Sequence, residues 1–112
     1  MSGRIHRVTM FKIPEPEGQQ RLIEAYKILA QDQKKDGKPY ILSTVTGRVI
    51  DEQRSHGWTV VNKSEFVSLE DMRYYDEACE AHAALKTKAK TLGITGGPAG
   101  VLTAYFHPDA TF

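Results

Sequence analysis

The chain has 112 residues, enough for one domain around one hydrophobic core and too few for two. Hydrophobic residues make up 40% and charged residues 26%, which excludes disordered, collagen-like and coiled-coil classes. Fifteen basic against fourteen acidic residues leave a net charge of +1, too weak a field to draw the chain onto nucleic acid or a membrane surface.

Residues 4–13 are β-branched and aromatic, alternate between two faces and end at Pro14, so they predict a first strand. Pro14 to Glu17 is a helix start signal. Leu22, Ala25, Tyr26 and Leu29 then follow the i, i+3, i+4, i+7 stripe of a half-buried helix, closed by Lys34, Lys35, a left-handed Gly37 and Pro39. Tyr40 to Ile50 and Trp58 to Val67 predict two more strands joined by the polar loop 51–57. Ser68, with Asp71 three residues on, opens a second helix predicted to run unbroken to about Leu92. Gly93 to Gly100 predicts a flexible connector, and Val101 to Phe106 a last strand ended by His107 and Pro108.

The resulting order, β-α-β-β-α-β over residues 1–112 as a single domain, is that of a ferredoxin-like α+β plait: a four-stranded antiparallel sheet with its helices on one face. Strands one, two and four carry apolar residues at successive positions, as strands covered on both faces do, yet the helices cover only one. A second copy, sheet against sheet, is the expected cover, and the expected partner is therefore a homodimer burying on the order of 1,200 Å² or more. The lone Cys79 has no intramolecular partner, residues 1–14 contain no apolar leader core, and no apolar run approaches the ~18 to 20 residues that cross a bilayer. A cytoplasmic protein without membrane contact is expected.

Tyr75, Cys79 and His82, spaced by four and three, fall on one stripe of the second predicted helix, facing the sheet. An imidazole on an apolar face is either a core histidine bonded to a backbone carbonyl or a catalytic base. Tyr26, on the inward stripe of the first helix, is either a core aromatic or a phenol sharing a pocket with His82. Cys79 sits among Asp76, Glu77 and Glu80, which disfavour a thiolate, so it reads as a small buried hydrophobe. His6 and Arg7 are neighbours on strand one and point to opposite faces, so the register decides which one looks at the helices. The four histidines have no metal-ligand spacing, and Gly93 to Gly100 lacks the lysine and the following helix of a phosphate cradle, so neither metal nor cofactor is expected. Lys86, Lys88 and Lys90 read as a solvated helix end.

The stretches Arg7 to Lys12, Gly57 to Val61, Asp36 to Ile41, and Tyr74-Tyr75-Asp76 followed by Cys79 and His82 together resemble the stress-responsive dimeric α+β barrel family, its fungal branch in particular. The resemblance spans nearly the whole chain and implies the plait and the sheet-to-sheet dimer. The best-understood enzyme type of that family is olivetolic acid cyclase, which closes a linear poly-β-keto thioester by aldol chemistry without a cofactor. By this resemblance Tyr26 and Tyr75 match the tyrosines of the first and second helix, His82 matches the base, and Arg7 stands where the family carries a strand-one histidine. The Tyr75 to His82 interval is one residue longer than in the cyclase, and Ala78-Cys79 replaces a second histidine and its proline.

These residues compose a candidate site in which His82 is the base, Tyr26 or Tyr75 donates to an enolate, and Arg7 holds a carboxylate or thioester oxygen. Phe11, Leu22, Trp58 and Leu85 would wall an enclosed pocket of roughly 300 Å³ or more for a hydrophobic or polyketide-like ligand, with His6 as a further contact. The expected reaction is aldol cyclisation, isomerisation or decarboxylation. A small-molecule carrier and a structural stress protein are the alternatives.

Overall fold

The computed structural model describes residues 3–111. Its elements run β1 (Ile5–Phe11), α1 (Pro16–Asp32), β2 (Ile41–Arg48), β3 (Val60–Phe66), α2 (Leu69–Glu77), α3 (Glu80–Ala89) and β4 (Val101–Phe106). The four strands form one sheet in the order β2-β3-β1-β4, every neighbouring pair antiparallel. This is the ferredoxin-like α+β plait expected from the element order.

Strand alternation decides what each face of the sheet holds. On β1, Ile5, Arg7, Thr9 and Phe11 are buried towards the helices, while His6, Val8 and Met10 point the other way. β3 repeats the pattern, with Val60, Asn62, Ser64 and Phe66 inward and opposite Phe11, Thr9, Arg7 and Ile5. Leu22, Tyr26 and Leu29 of α1, with Met72 and Tyr75 of α2, close the core over these side chains. Asn62 is wholly buried without penalty because its amide donates to Thr44 Oγ1 and Thr46 Oγ1 at 2.9 and 2.8 Å.

Three expectations need correction. The second helix is two: α2 ends at Glu77 and α3 begins at Glu80, with Cys79 as its N-cap in extended conformation. The Cys79 amide bonds to the Tyr74 carbonyl at 2.9 Å rather than to Tyr75, which leaves the Tyr75 carbonyl for another donor. Gly37 does not cap α1, which stops at Asp32. Asp36 and Gly37, both at positive φ, instead form a separate turn closed by paired bonds between Lys35 and Lys38, and the Gln33 side chain accepts from the Tyr40 and Ile41 amides. Finally, residues 93–100 are not slack. The Thr95 amide donates to the Lys12 carbonyl and the Lys12 amide to the Gly100 carbonyl, both at 2.8 Å, and a 3-10 turn spans Gly97–Gly100.

The face of the sheet away from the helices carries Val8 and Met10 of β1, Val61 of β3, Val45 of β2, and Leu102 and Phe106 of β4. Val45, Leu102 and Phe106 are exposed. No helix among the described residues is long and apolar enough to cross a membrane.

Candidate functional site

The helices leave β4 exposed along most of its length, and the gap between α3 and the β1–β4 half of the sheet is a cleft of about 510 Å³. β1 contributes Arg7, Thr9 and Phe11 to it, β4 Val101 and Thr103, and α3 His82, Leu85 and Ala89. Tyr26 of α1 lies at the floor, Ile94 and Pro98 of the stitched loop form one wall, and Asp76, Lys86 and Lys90 stand at the polar end. The lining is mainly apolar with a few convergent polar groups, the usual make-up of a small-molecule site.

His82 is 4% exposed. The helix break positions it: with the Tyr75 carbonyl freed from helical bonding, His82 Nδ1 donates to it at 2.8 Å. A carbonyl oxygen only accepts, so Nδ1 carries the hydrogen and Nε2 keeps its lone pair. The imidazole also stacks flat on the Tyr75 ring, with centroids 3.7 Å apart and planes 13° from parallel. Burial lowers the His82 pKa to about 4; the Tyr75 bond opposes the shift, while the charges of Arg7 and Lys86 add to it. At neutral pH the ring is uncharged.

Arg7 is buried on the same wall, and the register settles the choice between the neighbours on β1 in its favour. Its guanidinium donates from Nη2 to Asp76 Oδ1 and from Nη1 to Thr9 Oγ1, both at 2.8 Å, and lies 5.0 Å from the centre of the Tyr75 ring. Its Nε is buried without an acceptor among the described residues. The same Asp76 oxygen is 3.8 Å from His82 Nδ1, so one carboxylate stands between the cation and the imidazole.

The remaining predicted site residues divide. Tyr26, Phe11 and Leu85 line the cleft, the Tyr26 ring meeting Phe11 edge-on at 6.2 Å. Burial raises the Tyr26 hydroxyl pKa, so it remains a proton donor. Tyr75 stands behind His82 in the core against Phe66, its hydroxyl buried without a partner among the described residues; it is a platform for the imidazole and does not reach the cleft wall. Leu22 is fully buried in the core below the cleft. Trp58 precedes β3 with the Lys12 ammonium 4.8 Å above its ring, off the cleft. His6 is on the opposite face of the sheet, stacked on Phe106 and 3.6 Å from a Glu65 oxygen, because alternation on β1 sends it away whenever Arg7 faces in.

Of the cleft residues that escaped the sequence reading, Asp76 and Lys86 act on His82 through their charges. Asp76 figured there only as a charge near Cys79; a signal for it existed, since an arginine on an inward strand position needs a carboxylate. Lys86 is exposed in the last turn of α3, as expected of a solvated helix end, and in addition its Nζ donates to the Asp76 carbonyl at 3.2 Å. Among the described residues no group of three or more His, Cys, Asp or Glu side chains gathers as a metal site.

Comparison with known proteins places this architecture. A profile of the stress responsive A/B barrel domain matches residues 5–93. A protein of Gibberella zeae described as a fusaristatin A biosynthesis cluster protein is 45% identical over 111 residues, covering 99% of this chain and 78% of its own length. Among solved structures, a dimeric ferredoxin-like protein of unknown function from Jannaschia sp. CCS1 superposes with a TM-score of 0.74 at 18% identity, covering 94% of this chain and 99% of that one. Hydroxynitrile lyase from Passiflora edulis gives 0.76 at 13% identity, over 100% and 99% of the two chains. At such identities these two structures speak for the fold alone.

Proposed function

Since the chain belongs to the stress responsive A/B barrel domain family, we propose that it is a homodimeric, cofactor-independent enzyme that removes a proton from a carbon flanked by carbonyls in a small, largely apolar, polyketide-like compound. The observation that carries this reading is the His82 tautomer, in which the Tyr75 carbonyl holds Nδ1–H and keeps the lone pair on Nε2 of a side chain that lines an apolar cleft. An imidazole so held is unprotonated near neutrality and offers Nε2 as a proton acceptor, although its lowered pKa makes it a weaker base than an ordinary histidine.

Charge develops on the carbonyl oxygen as the proton leaves carbon. The Arg7 guanidinium and the Tyr26 hydroxyl are the donors on the cleft wall suited to that oxygen, and low local polarity strengthens both contacts. The carbanion then adds to a second carbonyl of the same chain, and the resulting alkoxide takes a proton from Tyr26 or from His82 Nε2. Phe11, Leu85, Ala89, Ile94 and Val101 accommodate the alkyl or aromatic body of the compound. That the Gibberella zeae relative is described by a biosynthesis cluster agrees with chemistry on a small metabolite.

The test is turnover of a linear tetraketide presented as an N-acetylcysteamine thioester, in which the carbon between the thioester and the first ketone can close a six-membered ring on the farthest ketone, followed by mass and chromatographic detection of the cyclised product. The wild type is expected to cyclise it, Tyr26→Phe to do so about 10² to 10³ more slowly, and His82→Gln to fall to the rate in buffer. Equal turnover by His82→Gln and wild type contradicts the assignment. One observation favours a second reading: the low proton affinity of His82 suits a carrier whose imidazole orients a ligand through Nε2. A ligand that stays chemically unchanged on prolonged incubation with saturating protein decides for the carrier.

A further inference from the structure

We infer that Asp76 is a positioning residue shared between Arg7 and His82, and that an oxyanion arriving at Arg7 releases its carboxylate towards His82 Nδ1, converting a resting imidazole into a working base. This rests on the proton-abstracting role of His82 proposed above. The geometry has three parts. Asp76 Oδ1 accepts from Arg7 Nη2 at 2.8 Å and lies 3.8 Å from His82 Nδ1, so a rotation of the carboxylate, rather than any backbone movement, carries its charge from the guanidinium towards the Nδ1 edge of the ring while Nδ1–H keeps its bond to the Tyr75 carbonyl. Arg7, 6% exposed, lines the cleft, and its Nε–H is buried with no acceptor among the described residues, so Asp76 and Thr9 do not satisfy all of its guanidinium donors. Asp76 itself lines the cleft with its side chain 36% exposed, which leaves it room to turn.

The exchange resolves a tension in the site. Burial first, and then the charges of Arg7 and Lys86, lower the proton affinity of His82, so the resting ring is a poor base near pH 7 and the Arg7 share of that effect is the part a ligand can reverse. A carboxylate or developing enolate on Arg7 cancels that cation and hands the Asp76 charge to the imidazole, so that the protonated ring formed during catalysis has a counter-ion at the nitrogen away from the substrate. The groups that face His82 are Asp76 and Tyr75 from α2, Arg7 from β1, Tyr26 from α1, and Lys86 from its own helix; Asp76 is the sole anion among them.

The experiment is an NMR pH titration of the His82 imidazole, identified among the four histidines by its loss in His82→Gln, in wild type, Asp76→Asn, Arg7→Gln and the double variant. If Asp76 is shared, Arg7→Gln raises the His82 midpoint by about one unit or more. Asp76→Asn then lowers it at least three times as far in the Arg7→Gln background as in the wild type, where Arg7 occupies the carboxylate. An Asp76→Asn shift of equal size in both backgrounds overturns the exchange, because Arg7 would then act only through its own charge. Should loss of Arg7 unfold the chain, saturating benzoate, an aromatic carboxylate, replaces the substitution. The midpoint is expected to rise with benzoate in the wild type and by less than half as much in Asp76→Asn, where only the cancelled Arg7 charge remains; no rise in the wild type, or an equal rise in both, overturns the inference. The titration reads the ring and not turnover, so a protein that binds without catalysing still passes or fails it.

Discussion

His82 joins two physical demands at one side chain. The Tyr75 carbonyl, buried and released from helical bonding, needs a donor, and Nδ1–H supplies it. His82→Ala therefore removes a packed ring and orphans a buried carbonyl, an expected loss of about 2 to 4 kcal/mol of stability measurable by urea denaturation. The protonation state gives a sharper signature. The folded-state pKa of about 4 lies below the ordinary histidine value, so between the two the unfolded chain binds the proton more tightly. The stabilisation from holding the ring neutral is complete above about pH 6.5 and drains away as pH falls towards 4, roughly 2 kcal/mol of it by pH 5. The difference in unfolding free energy between pH 7 and pH 5 is thus expected to be larger by about that amount in the wild type than in His82→Gln. Equal differences would mean that the folded protein does not hold the ring neutral.

Elements explain what could be read in advance and what could not. The four strands and α1 were legible because their signals are periodic and redundant: alternation on β1, and Leu22, Tyr26 and Leu29 at helical spacing on α1. The break between α2 and α3 was not. Glu77, Ala78, Cys79 and Glu80 contain neither glycine nor proline, and the break shows only in which carbonyl the Cys79 amide selects. That is a tertiary choice, made so that Tyr75 and His82 stack face to face across the break instead of succeeding one another along one helix. Tyr26 was legible as a candidate by face, and Arg7 only as one of two neighbours between which the register had to choose, whereas the parts of Asp76 and Lys86 were not, since they depend on α2 lying over β1. The glycine-rich loop was misread for a related reason: composition reports conformational freedom but not the bonds that remove it. A Cβ at Gly100 would lie 2.1 Å from the Thr95 carbonyl oxygen and 2.7 Å from Ile94 Cγ2, against the segment that walls the cleft. Gly100→Ala is expected to cost about 1 to 3 kcal/mol by urea denaturation and to weaken binding of any cleft ligand. A neutral effect on both would contradict a rigid wall.

At the scale of the molecule, the sheet has one face packed under helices except beside β4, where the cleft opens, and one bearing Val8, Met10, Val45, Val61, Leu102 and Phe106 with no helix over it among the described residues. A homodimer that pairs these faces would cover them, and the Jannaschia protein of the same fold is described as dimeric. Leu102, opposite Met10 on that face, tests it: Leu102→Glu is expected to convert a dimer seen by light scattering into a monomer, and a variant that stays dimeric would place the interface elsewhere. Such pairing leaves the cleft, on the other side of the sheet, free for a ligand. The account as a whole stands on a neutral imidazole that takes a proton from carbon, and deuterium exchange reads that event before any later step. Benzoylacetone in deuterated buffer presents an aromatic body and a carbon between two carbonyls. Wild-type protein is expected to accelerate exchange at that carbon saturably and at least about 100-fold over His82→Gln. Identical rates for the two proteins would contradict the account.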